Sequence, residues 1–222
     1  MGKTALIAGS TGLVGGLCLK LLLDHPAYER VVAVVRSGQG ISHPKYFERI
    51  VSFDDLGNVP MVEAQEAFCA LGTTRKKAGS KDAFYRVDHD YVANFAYWAR
   101  GGGAELFSLV SSVGANPNSG NFYLATKGDV EQAIKEQHFP RVDVFRPGQL
   151  LGHRNEVRLV EQIGDVVFKV VKPLLAGPLR QYRAIEASSV AAAMVAMAQQ
   201  EGPGFRTYVY DQILEASKLL RE

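Results

Sequence analysis

Tyr123 and Lys127 stand four residues apart in the stretch Tyr123-Leu-Ala-Thr-Lys127. On a helix that spacing puts both side chains on one face, with the lysine ammonium beside the phenol. A free tyrosine titrates near pH ~10, too high for efficient proton exchange at neutral pH. A neighbouring positive charge favours the phenolate, and each tenfold gain in acidity corresponds to roughly 1.4 kcal/mol. A helix N-terminus acts in the same direction. Eleven to twelve residues upstream come Ser111 and Ser112, where a strand is expected to end. A hydroxyl there can hydrogen-bond the carbonyl or alcohol with which the tyrosine exchanges a proton. Each feature has a plainer reading: Y-x-x-x-K recurs by chance on protein surfaces, and paired serines cap loop backbone. Their combination points to proton transfer. A hydrolase arrangement is missing, since the chain has no G-x-S-x-G elbow and no histidine with an obvious acidic partner.

The second chemical feature is the turn Gly9-Ser-Thr-Gly-Leu-Val-Gly15, between the apolar run 5–8 and a leucine-rich stretch. Glycines there permit tight backbone angles and remove side chains, so amides at a helix N-terminus can approach a diphosphate. The glycines are three apart, unlike the G-x-G-x-x-G of two-domain dehydrogenases, and a glycine-rich turn without a ligand is the alternative. Arg36 follows the next expected strand, where NAD-binding folds place an acid for the ribose 2′-hydroxyl. An arginine there accommodates a 2′-phosphate and favours NADP(H) over NAD(H). Use of both coenzymes, and a solvated loop arginine, are the competing readings.

Positioning these groups requires an alternation of strands and helices. Residues 13–23 form an almost wholly apolar helix that stops at Asp24-His25-Pro26. Residues 30–35 are a β-branched run suited to a parallel strand buried on both faces. Weaker strand signals follow at 49–53 and 66–71, the second leading into the loop 72–79. The longest helix is expected over 81–100, with Phe84, Val87, Tyr91, Phe95 and Trp98 as a stripe for the core or a subunit contact. A strand at 105–110, a loop at 111–121, a helix at 123–137 and a strand at 141–145 complete the pattern. That order implies an α/β fold, a doubly wound parallel sheet with ligands at the carboxyl ends of its strands. Beyond Gly152 come helix-like runs at 156–175 and 185–199, a strand at 207–210 and a short terminal helix. The expected organisation is one domain over 1–222, its core about 3–152, with a small C-terminal cap and final sheet and helix elements over 153–222.

Composition narrows the function classes. A net charge of +2 gives no general reason to expect nucleic acid or an anionic membrane as partner. The longest apolar stretch, 166–176, is broken by Lys169, Lys172 and Pro173 and is too short for a bilayer. Met1-Gly-Lys runs directly into a strand, so no secretory leader is expected and the cytoplasm is the default location. Cys18 and Cys69 read as small buried apolar residues, and five scattered histidines show no metal-site spacing.

Five further strings carry a family resemblance. They are Leu71-Gly-Thr-Thr-Arg-Lys-Lys-Ala-Gly79, Arg86-Val-Asp-His-Asp-Tyr-Val92, Ser111-Ser-Val-Gly-Ala115, the stretch 123–131 and Val144-Phe-Arg-Pro-Gly148. With the glycine turn they cover most of residues 4–158 and resemble an atypical branch of the short-chain dehydrogenase/reductase superfamily. The resemblance implies a Rossmann fold that binds NADP(H), with Tyr123 as proton donor and acceptor. Lys127 would bind the nicotinamide ribose and lower the tyrosine pKa, and Ser112, or Ser111 in a register one residue away, would orient substrate. By the same resemblance Gly9, Ser10, Thr11, Gly12, Leu13, Val14 and Arg36 hold the cofactor phosphates. Leu71 and Gly72 line the groove, Pro147 and Leu150 border the nicotinamide, and Arg158 contacts the cofactor. Asn94 falls where the superfamily often has a structural asparagine. Ser37 stands where the branch carries a second arginine, so one guanidinium fewer faces a 2′-phosphate.

The leading expectation is an oxidoreductase with a small carbonyl or alcohol substrate, acting as a monomer or homodimer. An NADPH-binding regulator working through protein partners is the alternative, because the fold hosts both roles.

Overall fold

The computed structural model describes residues 2–152 and 177–220. Seven strands form one parallel sheet in the order β3-β2-β1-β4-β5-β6-β9. They are β1 (Lys3–Ala8), β2 (Tyr28–Val35), β3 (Tyr46–Ile50), β4 (Glu66–Cys69), β5 (Leu106–Val110), β6 (Arg141–Phe145) and β9 (Gly204–Tyr208). Short strands β7 (Leu150–Leu151) and β8 (Ile185–Glu186) pair in parallel as a separate ribbon. Strand order reverses between β1 and β4, and at such a switch point two loops diverge and open a crevice.

Residue period divides the core into two layers. Along β1, Ala5 and Ile7 face one side while Leu6 and Ala8 face the other; along β2, Val31, Ala33 and Val35 oppose Val32 and Val34. The first side is covered by α1 (Leu13–Asp24) and α6 (Ala187–Ala198), through Cys18, Leu22, Val190 and Met194. The second is covered by α4 (Tyr91–Gly101) and α5 (Phe122–Lys135), through Phe95, Trp98, Val130 and Ile134. Helix α7 (Tyr210–Lys218) closes the first layer with Ile213. A sheet covered on both faces needs apolar residues at every position of its central strands, which explains the unbroken runs in β1 and β2.

Several elements differ from their sequence-based bounds. The helix expected over 81–100 is built from α3 (Lys81–Tyr85), a π-helical turn (Arg86–Asp90) and α4. A π turn inserts an extra residue into the helical phase, which hydrophobic periodicity does not register. Three of its stripe residues, Phe84, Phe95 and Trp98, are fully buried, while Val87 and Tyr91 are half-buried; Trp98 donates its indole N–H to the Val59 carbonyl at 3.0 Å. Strand β3 begins earlier than expected, and Phe53 is buried from a turn rather than from a strand. The loop after β4 contains a one-turn helix, α2 (Arg75–Ala78), capped by the Thr74 hydroxyl. The expected helix at 156–175 lies outside the described residues. Strand β9 starts three residues earlier than expected and pairs with β6 as an edge of the main sheet.

Candidate functional site

At the carboxyl end of β1 the chain turns on Gly9, whose φ is +86°. A Cβ at Gly9 would lie 2.5 Å from the Ala70 carbonyl, and one at Gly15 only 2.1 Å from the Gly9 carbonyl oxygen. Glycine is therefore required at both places, first for the backbone angle and close strand contact, then for packing the helix on the turn. Gly12 is the N-cap of α1 and provides no side-chain cap, and no acidic residue occupies the first helical turn. The amides of that turn are left to an external acceptor, and the helix dipole favours an anion there. Leu13 and Val14 carry this helix start into the groove. Ser10 is buried, its hydroxyl accepting a 2.7 Å bond from the Gln39 side chain, which ties the β2–β3 loop to the glycine turn. Thr11 is exposed beside it.

Arg36 projects into solvent immediately after β2 and does not line the groove. It lies close enough to Tyr91 to act on that hydroxyl, whose pKa burial and a bond to Asp54 raise and Arg36 opposes. Arg36 is thus set apart from the groove, whereas the start of α1 shares it with Tyr123 and Lys127.

The groove is open to solvent and is lined from α1, the loop after β4, the end of β5, α5 and the turn after β6. Ten of the residues singled out from the sequence line it: Leu13, Val14, Leu71, Gly72, Ser111, Ser112, Tyr123, Lys127, Pro147 and Leu150. Asn121 caps α5 by accepting from the amides of Tyr123 and Leu124, fixing Tyr123 in the first helical turn. Phe84 and Phe122 enclose the start of this helix, the Tyr123 ring lying 5.9 Å from that of Phe84. One turn further, Lys127 is buried and forms a 2.7 Å ion pair with Asp88. Burial pushes the ammonium down, but Asp88 and then Tyr123 outweigh it and hold the lysine above its ordinary value. Helix α5 can come this close because Gly128 has no side chain; a Cβ there would meet the Pro117 nitrogen at 2.1 Å.

The serine pair is held from both sides. Ser111 N–H donates to the Phe145 carbonyl at 2.7 Å and Val113 N–H to the Pro147 carbonyl at 3.0 Å, extending the β5–β6 ladder past the strands. Ser111 directs its hydroxyl inward to Glu131, whose carboxylate also takes the Arg146 guanidinium. Ser112 is half-buried on the groove wall, and its hydroxyl donates a 3.3 Å bond to the Val113 carbonyl. Gly148 lies against the Tyr182 and Arg183 carbonyls and brings Pro147 and Leu150 to the rim. Arg158 lies outside the described residues.

Three residues of this site were not among the sequence candidates: Asp88, Glu131 and Arg146. Asp88 was visible only as part of the string 86–92, and it lies buried in the π turn. Asn94, in contrast, is exposed on α4 and does not line the groove. Among the described residues no cluster of three metal-ligating side chains occurs, and no helix is long and apolar enough to cross a membrane.

Fold and groove together define a Rossmann-type protein. Its solved structural neighbours include MoeE5 in complex with UDP-glucose and NAD, with a TM-score of 0.68 at 14% identity over 97% of this chain and 81% of that one. The UDP-Glc/GlcNAc 4-epimerase of Campylobacter jejuni gives 0.69 at 12% identity over 96% and 82%. These likenesses establish a shared fold. No family model matches the chain. Protein HTATIP2 of Rattus norvegicus is 39% identical over 171 residues, 75% of this chain and 70% of the relative. The mitochondrial protein FMP52 of Candida glabrata is 31% identical over 223 residues, 96% and 95% of the two chains. The chain belongs to the atypical short-chain dehydrogenase/reductase family that includes HTATIP2 and FMP52.

One expectation is overturned by these relatives. The sequence makes the cytoplasm the default location, whereas the FMP52 proteins are mitochondrial. The default rests on composition and apolar pattern, which do not distinguish a mitochondrial protein from a cytosolic one.

Proposed function

We propose that this chain is an NADP(H)-dependent oxidoreductase acting on a small carbonyl or alcohol, with Tyr123 as its proton donor and acceptor. The observation that carries this reading is the meeting of Ser112, Tyr123 and Lys127 on one groove beside the uncapped N-terminus of α1. The residues present suit a dinucleotide. Gly9 and Gly15 leave no room for side chains where a diphosphate would meet backbone amides. Leu71, Gly72, Pro147 and Leu150 line the groove and offer apolar surface against which a nicotinamide ring would pack. A neighbour that shares the fold binds NAD with a UDP-sugar.

When bound, the dinucleotide supplies or accepts hydride at C4 of its nicotinamide. Ser112 orients the substrate oxygen through its hydroxyl, and Tyr123 moves the proton at its phenolic oxygen. Lys127 holds the ribose hydroxyls and keeps a positive charge near the phenol. Arg36 pairs with a 2′-phosphate, which favours NADP(H) while leaving NAD(H) usable. The substrate is a small molecule, not nucleic acid or membrane, and the protein acts as a monomer or homodimer.

The test begins with the purified protein, whose released nucleotide is identified after denaturation and whose affinity for NADPH and NADH is measured by calorimetry. Aldehydes, ketones, quinones and alcohols are then assayed with the native protein and Tyr123→Phe. Turnover lost by about 10²-fold or more in the variant, with NADPH affinity retained, supports the assignment. A protein that binds neither coenzyme overturns it. Tight NADPH binding without Tyr123-dependent turnover assigns the regulatory role instead.

A further inference from the structure

Asp88 is a carboxylate with almost no contact with solvent, in a π-helical turn, and both of its oxygens are engaged at the groove. One oxygen lies 2.7 Å from the Lys127 ammonium; the other accepts the Thr73 amide at 2.7 Å. Gly72 lies directly against this pair: a Cβ there would be 3.3 Å from the Asp88 carboxylate and 3.8 Å from the Lys127 nitrogen. The loop after β4, which lines the groove, and the lysine on α5 are therefore joined through one side chain. We propose that Asp88 is a positioning residue that keeps Lys127 a fixed cation at the groove and locks the loop 71–74 in register with it.

The charge argument follows from burial. An unpaired lysine in this position favours its neutral form, and the carboxylate reverses that preference. The ionisable groups that act on the lysine are Asp88 from the π turn, Tyr123 from its own helix and the Cys69 thiol from β4. Of these, Asp88 is the carboxylate in contact with the ammonium. The lysine is held above its ordinary value in the folded protein, so its charge persists throughout the neutral range and is lost only at strongly alkaline pH. Asp88→Asn keeps the shape and an acceptor for the Thr73 amide but removes the charge. Burial then prevails, and the lysine becomes neutral as pH rises through a window below its usual value.

This inference rests on the cofactor reading for its consequence but not for its test. Lysine side-chain nitrogens labelled with ¹⁵N are followed by NMR in the cofactor-free native chain and in Asp88→Asn, with Lys127→Arg used to assign the signal. The expected result is a Lys127 signal that stays in its protonated position to pH ~10 in the native protein and titrates below that in the variant. In parallel, the NADPH dissociation constant of the native protein stays level between about pH 7.5 and 9.5, while that of Asp88→Asn rises about tenfold. A native Lys127 that loses its proton below pH ~10 overturns the proposal, with or without a folded variant. A folded variant with the native titration also overturns it. If the native protein fails to bind NADPH, the cofactor reading falls, and the NMR titration still decides the role of Asp88.

Discussion

Ser111 donates its hydroxyl to the buried carboxylate of Glu131, which also holds Arg146, so the two adjacent serines have different work. Both serines border the groove, but the Ser111 hydroxyl ties the end of β5 to α5, whereas that of Ser112 bonds the neighbouring Val113 carbonyl. Ser112→Ala is expected to lower kcat by about 10²-fold, the scale for removing one aimed donor, with the urea midpoint unchanged. Ser111→Ala leaves Glu131 short of a buried donor and is expected to cost about 1–3 kcal/mol of stability while retaining most of kcat. Steady-state kinetics and urea unfolding of both variants check this. The opposite pattern would exchange the two roles.

Arg36 is exposed at the end of β2, and Ser37 beside it adds no second positive charge. Arg36→Ala is expected to weaken NADPH binding by about tenfold or more, a loss in the range of a charge-assisted hydrogen bond, and to change NADH binding by less than about twofold. Calorimetry with both coenzymes decides it. Equal losses for the two would separate Arg36 from the 2′-phosphate.

Gly15 and Gly57 make a matched pair for testing the glycine turn. A Cβ at Gly15 would lie 2.1 Å from the Gly9 carbonyl oxygen, whereas Gly57 has no atom within 4 Å of its Cβ direction. Gly15→Ala is expected to lose about 2 kcal/mol or more, because backbone must shift to admit the methyl. Gly57→Ala should stay within about 0.5 kcal/mol of the native protein. Chemical denaturation of the two variants measures the contrast, and a neutral Gly15→Ala would show that the helix is not packed on the turn as described.

Cys18 and Cys69 are both fully buried, and burial raises both thiols, that of Cys69 to about 12. Thiolate is the reactive form, so neither cysteine should be alkylated by iodoacetamide at about pH 8 in the native fold. Mass spectrometry of treated protein checks this, with labelling expected only after denaturant is added. Rapid modification of Cys69 under native conditions would show that the β4 edge of the groove opens.

The strands and their order of burial were legible because parallel strands buried on both faces must be apolar at every position. The runs 5–8 and 31–35 carry that signature, whereas β6 buries Arg141 and Asp143 as an ion pair and was read as a strand from its place in the alternation. The helix start at Leu13 and the glycine turn before it could also be read, since a left-handed φ at Gly9 and a side-chain-free contact at Gly15 admit little but glycine. Tyr123 and Lys127 were found together because their relation is local, one helical turn. Strand β3 was misplaced because Phe53 is buried from a turn, and apolar pattern alone does not separate the two cases.

Chain order and local periodicity by themselves determined the sheet, the turn that can cradle an anion, and the tyrosine–lysine pair. Only the tertiary structure decided that the Ser111 hydroxyl is engaged by Glu131 and that Asp88 holds Lys127. Both outcomes depend on contacts between residues far apart in the chain: Ser111 with Glu131 and Arg146, and Asp88 with Lys127 and Thr73. Asp88 sits in the one π-helical turn of this helix, buried among residues whose apolar pattern gives no sign of a charge at that place. Local pattern encodes which elements form, whereas the partners of a buried charge are set by how those elements meet.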